Sequence, residues 1–176
     1  AGPALLIVLC LVLRKTARFN VTDKAIDSLA KTVCYAMIAN VFFFVLEVFT
    51  AFYSNMPGHK APIEYLFFGL DGHAQLVPVM WLAAVLAIGG ILLLLVPKLR
   101  RSHKVLVPAL AAVFFACLID KGLGLVLGGF VPNSFEQVVE YIPNPNELLV
   151  IVGVYSIGAL ALTVLCKVAV GVRAEN

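Results

Sequence analysis

Four apolar runs dominate this chain, and each is long enough to cross a membrane as a helix. They cover residues 32–53, 76–96, 105–130 and 147–172. At a rise of about 1.5 Å per residue, a helix of each length reaches about 30 Å or more, the thickness of the hydrocarbon core of a bilayer. The runs are too long for strands and lack period-two alternation. We therefore expect an all-α integral membrane protein, built as an up-and-down transmembrane helix bundle.

The composition points the same way. Hydrophobic residues make up 62% of the chain and charged residues only 13%, whereas a soluble domain has about a quarter of its residues charged. Such a chain cannot cover itself with polar surface, so membrane lipid is expected to be part of its solvent. No basic face or RNA-binding signature is present, which argues against nucleic acid as a partner.

Residues 1–13 form a further, shorter apolar segment. Its apolar stretch ends before Arg14 and is shorter than the roughly 20 residues that span a bilayer. The basic residues follow the apolar stretch, the reverse of a signal peptide. We expect residues 1–13 to be the end of a truncated transmembrane helix, followed by a four-helix transmembrane bundle over residues 32–172. This gives about five spanning segments, the first of them partial, and a chain that is the C-terminal part of a longer one.

Basic residues are concentrated in alternate connections. Residues 14–31 hold five and residues 97–104 hold four, whereas the other two connections hold one lysine and none. This is the pattern of a bundle that follows the positive-inside rule. We expect both basic connections, with the tail 173–176, on the cytoplasmic side of the cell membrane of a prokaryote. Within the first connection, Thr22 is a plausible N-cap of a short interfacial helix.

Glu47 is the first ionisable group expected within the membrane. Asn40, Thr50 and Ser54 are spaced so that they share one face of a helix with it. A charge at membrane depth costs about 2.5–3.5 kcal/mol even on the lenient insertion scale, and such groups commonly have a function. We interpret Glu47 as a proton acceptor, with Asn40 and Thr50 along a proton route.

Asp120 and Lys121, within "LIDKGLGLVLGGF", are the second group expected near mid-depth. Adjacent residues on a helix point about 100° apart, so we expect each to have its own partner, with Glu47 a reasonable one for Lys121. The two side chains would tune or relay charge for Glu47. The alternative is a purely structural network of ion pairs. Nearby small residues allow close helix approach or space for a ligand; they are Gly124, Gly128 and Gly129.

The last run carries a weaker polar stripe. Ser156, Thr163 and Lys167 are spaced i, i+7 and i+11. This stripe is a candidate for lining a proton route. The alternative for Lys167 is that its side chain snorkels to the nearby membrane interface.

Histidine and tyrosine side chains are concentrated in the connection after the first full span. We expect Tyr53, His59, Tyr65 and His73 to gather above Glu47. Histidine changes protonation near physiological pH, and both residue types can hydrogen-bond a carbonyl or hydroxyl oxygen. The stretch "IEYLFFGL" is apolar enough to dip back into the interface. Together these features predict an oily pocket with a proton acceptor, which suits a quinol headgroup.

Three classes of membrane protein compete at this point. A b-type cytochrome would place histidines inside its spans, but His59, His73 and His103 all lie in connections. The four separated cysteines form no CxxC pattern, so we expect no haem, iron–sulfur cluster or metal in this chain. A secondary transporter would show paired repeats and broken helices, and no convincing repeat is present. A subunit of an oxidoreductase complex, either quinol-oxidising or non-catalytic, explains the clustering, with electrons leaving to a partner's cluster or haem.

Three stretches also carry a resemblance to a known family. They are the connection "FFGLDGH", the intramembrane "DKGLG" and the last-run pattern "IGALALTVLCKVA". With the residues around them, they resemble the C-terminal half of the NrfD-like family of polysulfide-reductase membrane subunits. Within that family the chain is most similar to the subunits linked to dissimilatory sulfite reduction.

The resemblance implies a menaquinone-interacting subunit in sulfur or sulfate respiration, with menaquinone bound non-covalently. It implies electron exchange with an outward-facing, periplasmic-type ferredoxin-like iron–sulfur subunit. It also implies a haem-b membrane subunit, a multihaem cytochrome c and a cytoplasmic iron–sulfur subunit as neighbours. Two alternatives stay open: a proton-conducting or scaffolding half without its own quinone site, and a fragment of a secondary transporter.

Overall fold

The structure is a computed structural model that describes residues 1–16, 22–70, 72–129, 131, 138 and 144–174. Over these residues the chain is helical, apart from turns and one isolated β-bridge between Leu70 and His73. The helices are α1 (Gly2–Thr16), α2 (Asp23–Ser54), α3 (Pro57–Phe67), α4 (Val77–Leu95), α5 (Pro97–Arg100), α6 (His103–Leu118), a π segment (Ile119–Gly124), α7 (Leu125–Gly128) and α8 (Pro145–Ala174).

Four of these helical stretches are long and apolar enough to cross a membrane. They are Asp23–Ser54, Val77–Leu95, His103–Gly124 and Pro145–Val168, and the apolar part of α1, Gly2–Arg14, is shorter. The chain is therefore an all-α membrane helix bundle, as the apolar runs predicted. A fifth, shorter apolar segment stands at its start.

The separate interfacial helix expected before the first full span is absent from the described part of the chain. Helix α2 instead begins at Asp23 and continues without interruption to Ser54. No glycine or proline occurs between those residues, so nothing in the sequence breaks the helix. Thr22 does occupy the N-cap position in extended conformation, but its side chain makes no capping hydrogen bond. The helix ends at Asn55, which adopts the left-handed conformation at φ 49°.

The larger apolar core joins α1, α2, α4 and α6. Its fully buried side chains include Ile7, Leu94 and Leu110. Gly90 lets α4 approach α6, because a Cβ atom at that position would lie 2.7 Å from the Cγ2 atom of Val113. This core fills the end of the bundle that carries the two basic connections, called the basic end below.

Helix α3 packs against α2, α4 and α7 at the opposite end of the bundle. It buries Tyr65 and Leu66 against Met80 in a smaller apolar core. The indole Nε1 of Trp81 donates a hydrogen bond to the Phe67 carbonyl at 3.1 Å. The oily stretch of this connection therefore forms one wall of the region that holds Glu47.

Helix α8 is set apart from the other helices. None of its membrane-length window is buried within the described chain. Most of the connection before it, including both glutamates of residues 131–146, lies outside the described residues.

Candidate functional site

Glu47 lies on α2 where that helix faces α3. With Thr50 and Ser54 it lines an open cleft whose other wall includes His59 and Ile63 of α3. This cleft, called the histidine cleft, has a volume of about 370 Å³. The structure thus brings the predicted proton acceptor and one predicted histidine into a single space.

A second cleft begins at the same glutamate. It has a volume of about 160 Å³ and is lined by Glu47, Asp120 and Lys121, together with apolar side chains that include Leu66 and Phe67. We call it the ion-pair cleft. Glu47, Pro62 and Ile63 line both clefts. Glu47 therefore stands on the boundary between the imidazole and the Asp–Lys pair.

Lys121 pairs with its chain neighbour. Its Nζ atom lies 3.0 Å from the Oδ2 atom of Asp120, so the expectation that each group has a separate partner, with Glu47 for Lys121, is wrong. The 100° separation assumed a regular α-helix, but residues 119–124 form a π segment with i→i+5 hydrogen bonding, which changes the angular spacing. The long lysine stem then reaches the adjacent carboxylate. Within the described part of the chain, the Glu47 carboxylate has neither a hydrogen bond nor an ion pair.

The predicted small residues take part in both helix approach and the cleft. A Cβ atom on Gly124 would lie 3.0 Å from the Cε atom of Met80, and one on Gly128 would lie 2.9 Å from the Cδ1 atom of Leu66. Both glycines and Gly129 also line the ion-pair cleft. The absence of side chains at these positions therefore keeps α7 close to α3 and the cleft open.

A third cleft continues the series toward the middle of the bundle. It has a volume of about 200 Å³ and is lined mainly by apolar side chains, with Asn40 and Asp120 as its polar members. It shares Asp120 and Phe67 with the ion-pair cleft. We call it the apolar cleft. Polar groups consequently occur in order along adjoining spaces, at Asn40, Asp120, Glu47 and His59.

Three of the four residues expected above Glu47 line neither of the two clefts that Glu47 lines. Tyr53 is 83% exposed and stacks on Phe49 at a ring-centroid distance of 5.6 Å. Tyr65 is 2% exposed in the smaller core. His73 is half-buried in a turn whose backbone bonds to Leu70 measure 2.9 and 3.0 Å. Of the four, only His59 shares either the histidine cleft or the ion-pair cleft with Glu47.

The polar stripe on α8 is not brought to these clefts. Thr163 donates its hydroxyl to the Ala159 carbonyl at 2.7 Å, and Lys167 is exposed. Thr50 on α2 makes the same kind of bond, to the Leu46 carbonyl at 2.8 Å. A hydroxyl that bonds one turn back along its own helix is satisfied without any neighbour. The proton-route role of Thr163 and Lys167 stays a prediction.

The chain matches no protein-family model, no curated protein and no solved structure. The kind of ligand that the clefts can bind must therefore be inferred from the side chains that line them. A carboxylate and an imidazole beside an oily wall can accept hydrogen bonds and protons from an amphipathic ring compound. The adjoining ion pair adds a fixed dipole to the same space.

Two features of the site were missed at the sequence level. The first is the π segment at residues 119–124. The sequence feature that could have indicated it is the adjacent Asp–Lys pair followed by closely spaced glycines. The second is the aromatic wall. Phe67 packs against Phe44 and Trp81 at ring-centroid distances of 5.6 and 5.9 Å, and it lines two of the three clefts. No periodic pattern singles out these aromatics, because they come from three different helices.

Among the described residues, no group of three or more His, Cys, Asp or Glu side chains could hold a metal ion. The donor set at Glu47 is instead one carboxylate, one imidazole and one compensated ion pair, set against apolar side chains. The histidine cleft also falls within the usual range of ligand pockets, about 300–1,000 Å³. A cleft of this size and lining can hold a small amphipathic molecule.

Proposed function

We propose that this chain is a quinone-interacting membrane subunit of a respiratory electron-transfer complex, of the NrfD-like type. It would exchange electrons between menaquinol or menaquinone and an iron–sulfur subunit bound to it. The observation that carries the proposal is the position of Glu47. This carboxylate lies on the wall shared by two clefts, with His59 in one and the Asp120–Lys121 pair in the other.

The chemistry of the site matches what quinol oxidation requires. Bound menaquinol supplies two electrons and two protons on its oxidation to menaquinone. Glu47 accepts a hydrogen bond from one ring hydroxyl and takes its proton, and His59 has an imidazole nitrogen that can take the other. The two electrons would pass to an iron–sulfur cluster held by the partner subunit. Reduction of the quinone reverses each transfer.

The Asp120–Lys121 pair and the apolar side chains of the ion-pair cleft have separate roles. The Asp120–Lys121 pair at 3.0 Å compensates its own charges and leaves Glu47 free for the ligand. Leu66, Phe67 and Met80 line the ion-pair cleft, where they would contact the ring and exclude water from one side of it. An environment with little water strengthens each hydrogen bond made to the ring oxygens.

The expected orientation of the chain across the membrane follows from the distribution of its basic residues. The positive-inside rule puts the basic end in the cytoplasm and the Glu47 end at the outer surface of the cell membrane. Protons released through Glu47 and His59 then leave on the outer side. The ferredoxin-like partner is accordingly expected on the outer surface, close to α3.

The test is a titration of the purified complex with a fluorescent quinol-analogue inhibitor. Glu47→Gln removes the charge and nearly keeps the shape, and we expect it to weaken binding about tenfold or more, as for loss of a hydrogen bond to a charged group. Glu64→Gln is the matched control, because Glu64 is on α3 and lines neither cleft that Glu47 lines. Equal binding by the wild type and Glu47→Gln would contradict the proposal.

A second candidate is a proton-conducting half without its own quinone site. The observation that favours it is the order of polar groups along the adjoining clefts, from Asn40 through Asp120 and Glu47 to His59. In this case Glu47→Gln would slow proton movement into vesicles that contain the complex. Binding of the quinol analogue would not change.

A further inference from the structure

We propose that the basic end of the bundle holds the headgroup of an anionic phospholipid. A pocket of about 480 Å³ lies there between the first turns of α2 and the connection from α5 to α6. The ionisable residues that line it are Asp23, Lys24, Asp27, Arg100, Arg101 and His103. This inference concerns the opposite end of the bundle from Glu47 and is independent of the proposed function.

The two carboxylates of the pocket are already engaged. Asp27 accepts a hydrogen bond from the Nε atom of Arg100 at 2.8 Å and pairs with Lys31 at 3.2 Å. Asp23 pairs with Arg14, and its Oδ1 atom lies 3.8 Å from the Nε2 atom of His103. Neither acid is therefore free to neutralise further cations.

Two cations remain for a ligand. Lys24 and Arg101 line the pocket and are exposed, and within the described residues neither side chain has a hydrogen bond or an ion pair. One planar guanidinium and one ammonium facing the same space suit a phosphate group, since Arg binds phosphate oxygens in a bidentate manner and Lys supplies a point charge.

The position of the pocket in the membrane favours a lipid as the source of the phosphate. The pocket lies where α2 and α6 enter their apolar runs, so it is at headgroup level when these helices cross the bilayer. Its lining also includes Ile26 and Leu106, which are 3% and 1% exposed. Basic pockets between transmembrane helices are known to bind anionic headgroups. A phosphate anchored here would direct its acyl chains along α2 and α6 into the membrane.

The experiment measures lipid retained by the purified, detergent-solubilised protein by native mass spectrometry. Dioleoyl-phosphatidylglycerol is the probe, and dioleoyl-phosphatidylcholine is the comparison lipid. The test variant is Lys24→Gln with Arg101→Gln, and its matched control is Lys98→Gln with Lys104→Gln. Both double variants remove two charges from the basic end, but neither Lys98 nor Lys104 lines the pocket. Circular dichroism verifies that each variant keeps its helix content.

We expect the wild type and the control to retain phosphatidylglycerol in preference to phosphatidylcholine. The test variant should lose affinity for phosphatidylglycerol by about fivefold for each cation removed. An equal loss in both double variants would overturn the proposal in favour of a general effect of charge. No loss in either variant would also overturn it. Displacement of the lipid by an equal concentration of inorganic phosphate would show that the site takes a free anion instead.

Discussion

Arg100 binds Asp27 across 73 positions of sequence. Its Nε atom donates to the Oδ1 atom of Asp27 at 2.8 Å, and its Nη1 atom donates to the Leu94 carbonyl at 3.1 Å. The arginine side chain is only 8% exposed. One guanidinium therefore joins the first turns of α2 to the end of α4 and fixes the helices at the basic end.

The first prediction concerns this pair. Asp27→Asn removes the charged acceptor and leaves a mostly buried guanidinium without its counter-ion, so we expect a loss of about 2 kcal/mol of stability. Asp23→Asn is the control, because its pair with Arg14 is exposed and should contribute little. Thermal unfolding in detergent, followed by circular dichroism, compares the two variants. Equal melting temperatures would show that the buried pair stabilises the protein no more than the exposed pair does.

The second prediction concerns the approach of α4 to α6. Gly90→Ala would place a Cβ atom 2.7 Å from the Cγ2 atom of Val113, so we expect a destabilisation of about 1–3 kcal/mol from overpacking. Gly89→Ala is the matched control, because no atom outside its own helix lies within 4 Å of its Cβ position. Unfolding in mixed detergent micelles measures both variants. If Gly89→Ala proved as costly as Gly90→Ala, helix contact would not be the cause.

The third prediction uses the single tryptophan as a probe of the cleft. The Trp81 ring lies 5.9 Å from Phe67, which lines both the ion-pair cleft and the apolar cleft. If a quinone binds there, we expect it to quench Trp81 emission in a saturable manner. Trp81→Phe gives the background to subtract. Quenching of the same size in that variant would place the quinone elsewhere.

The fourth prediction tests the role of the ion pair. Asp120→Asn leaves Lys121 without its carboxylate in a cleft that also holds Glu47, so the lysine should turn to Glu47. We expect this variant to bind the quinol analogue about tenfold more weakly, close to the effect of Glu47→Gln. The double variant Asp120→Asn with Lys121→Gln removes the competing cation and should recover most of the affinity. A double variant as weak as the single one would contradict this competition.

The site was only partly predictable, because helical spacing assigns a residue to a face of its helix but does not decide which neighbour its side chain packs against. Glu47 and His59 do share a cleft, whereas Tyr53 and Tyr65, which were expected in the same place, line neither cleft that Glu47 lines. Tyr53 lies three residues after Thr50 on α2, so helical spacing puts the two close to one face. The Tyr53 side chain nevertheless stacks on Phe49 and is 83% exposed, and it does not line the histidine cleft.

The sequence by itself determined the fold class, because apolar runs of membrane length admit only helices whose backbone bonds are internal. It also predicted which charged groups would be costly if they lie at membrane depth, namely Glu47, Asp120 and Lys121. Only the tertiary structure decided their partners. The π segment at residues 119–124 turns Lys121 to Asp120, and α3 closes a wall over Glu47. Partner choice depends on side-chain directions and on contacts between distant helices, and no local pattern encodes either.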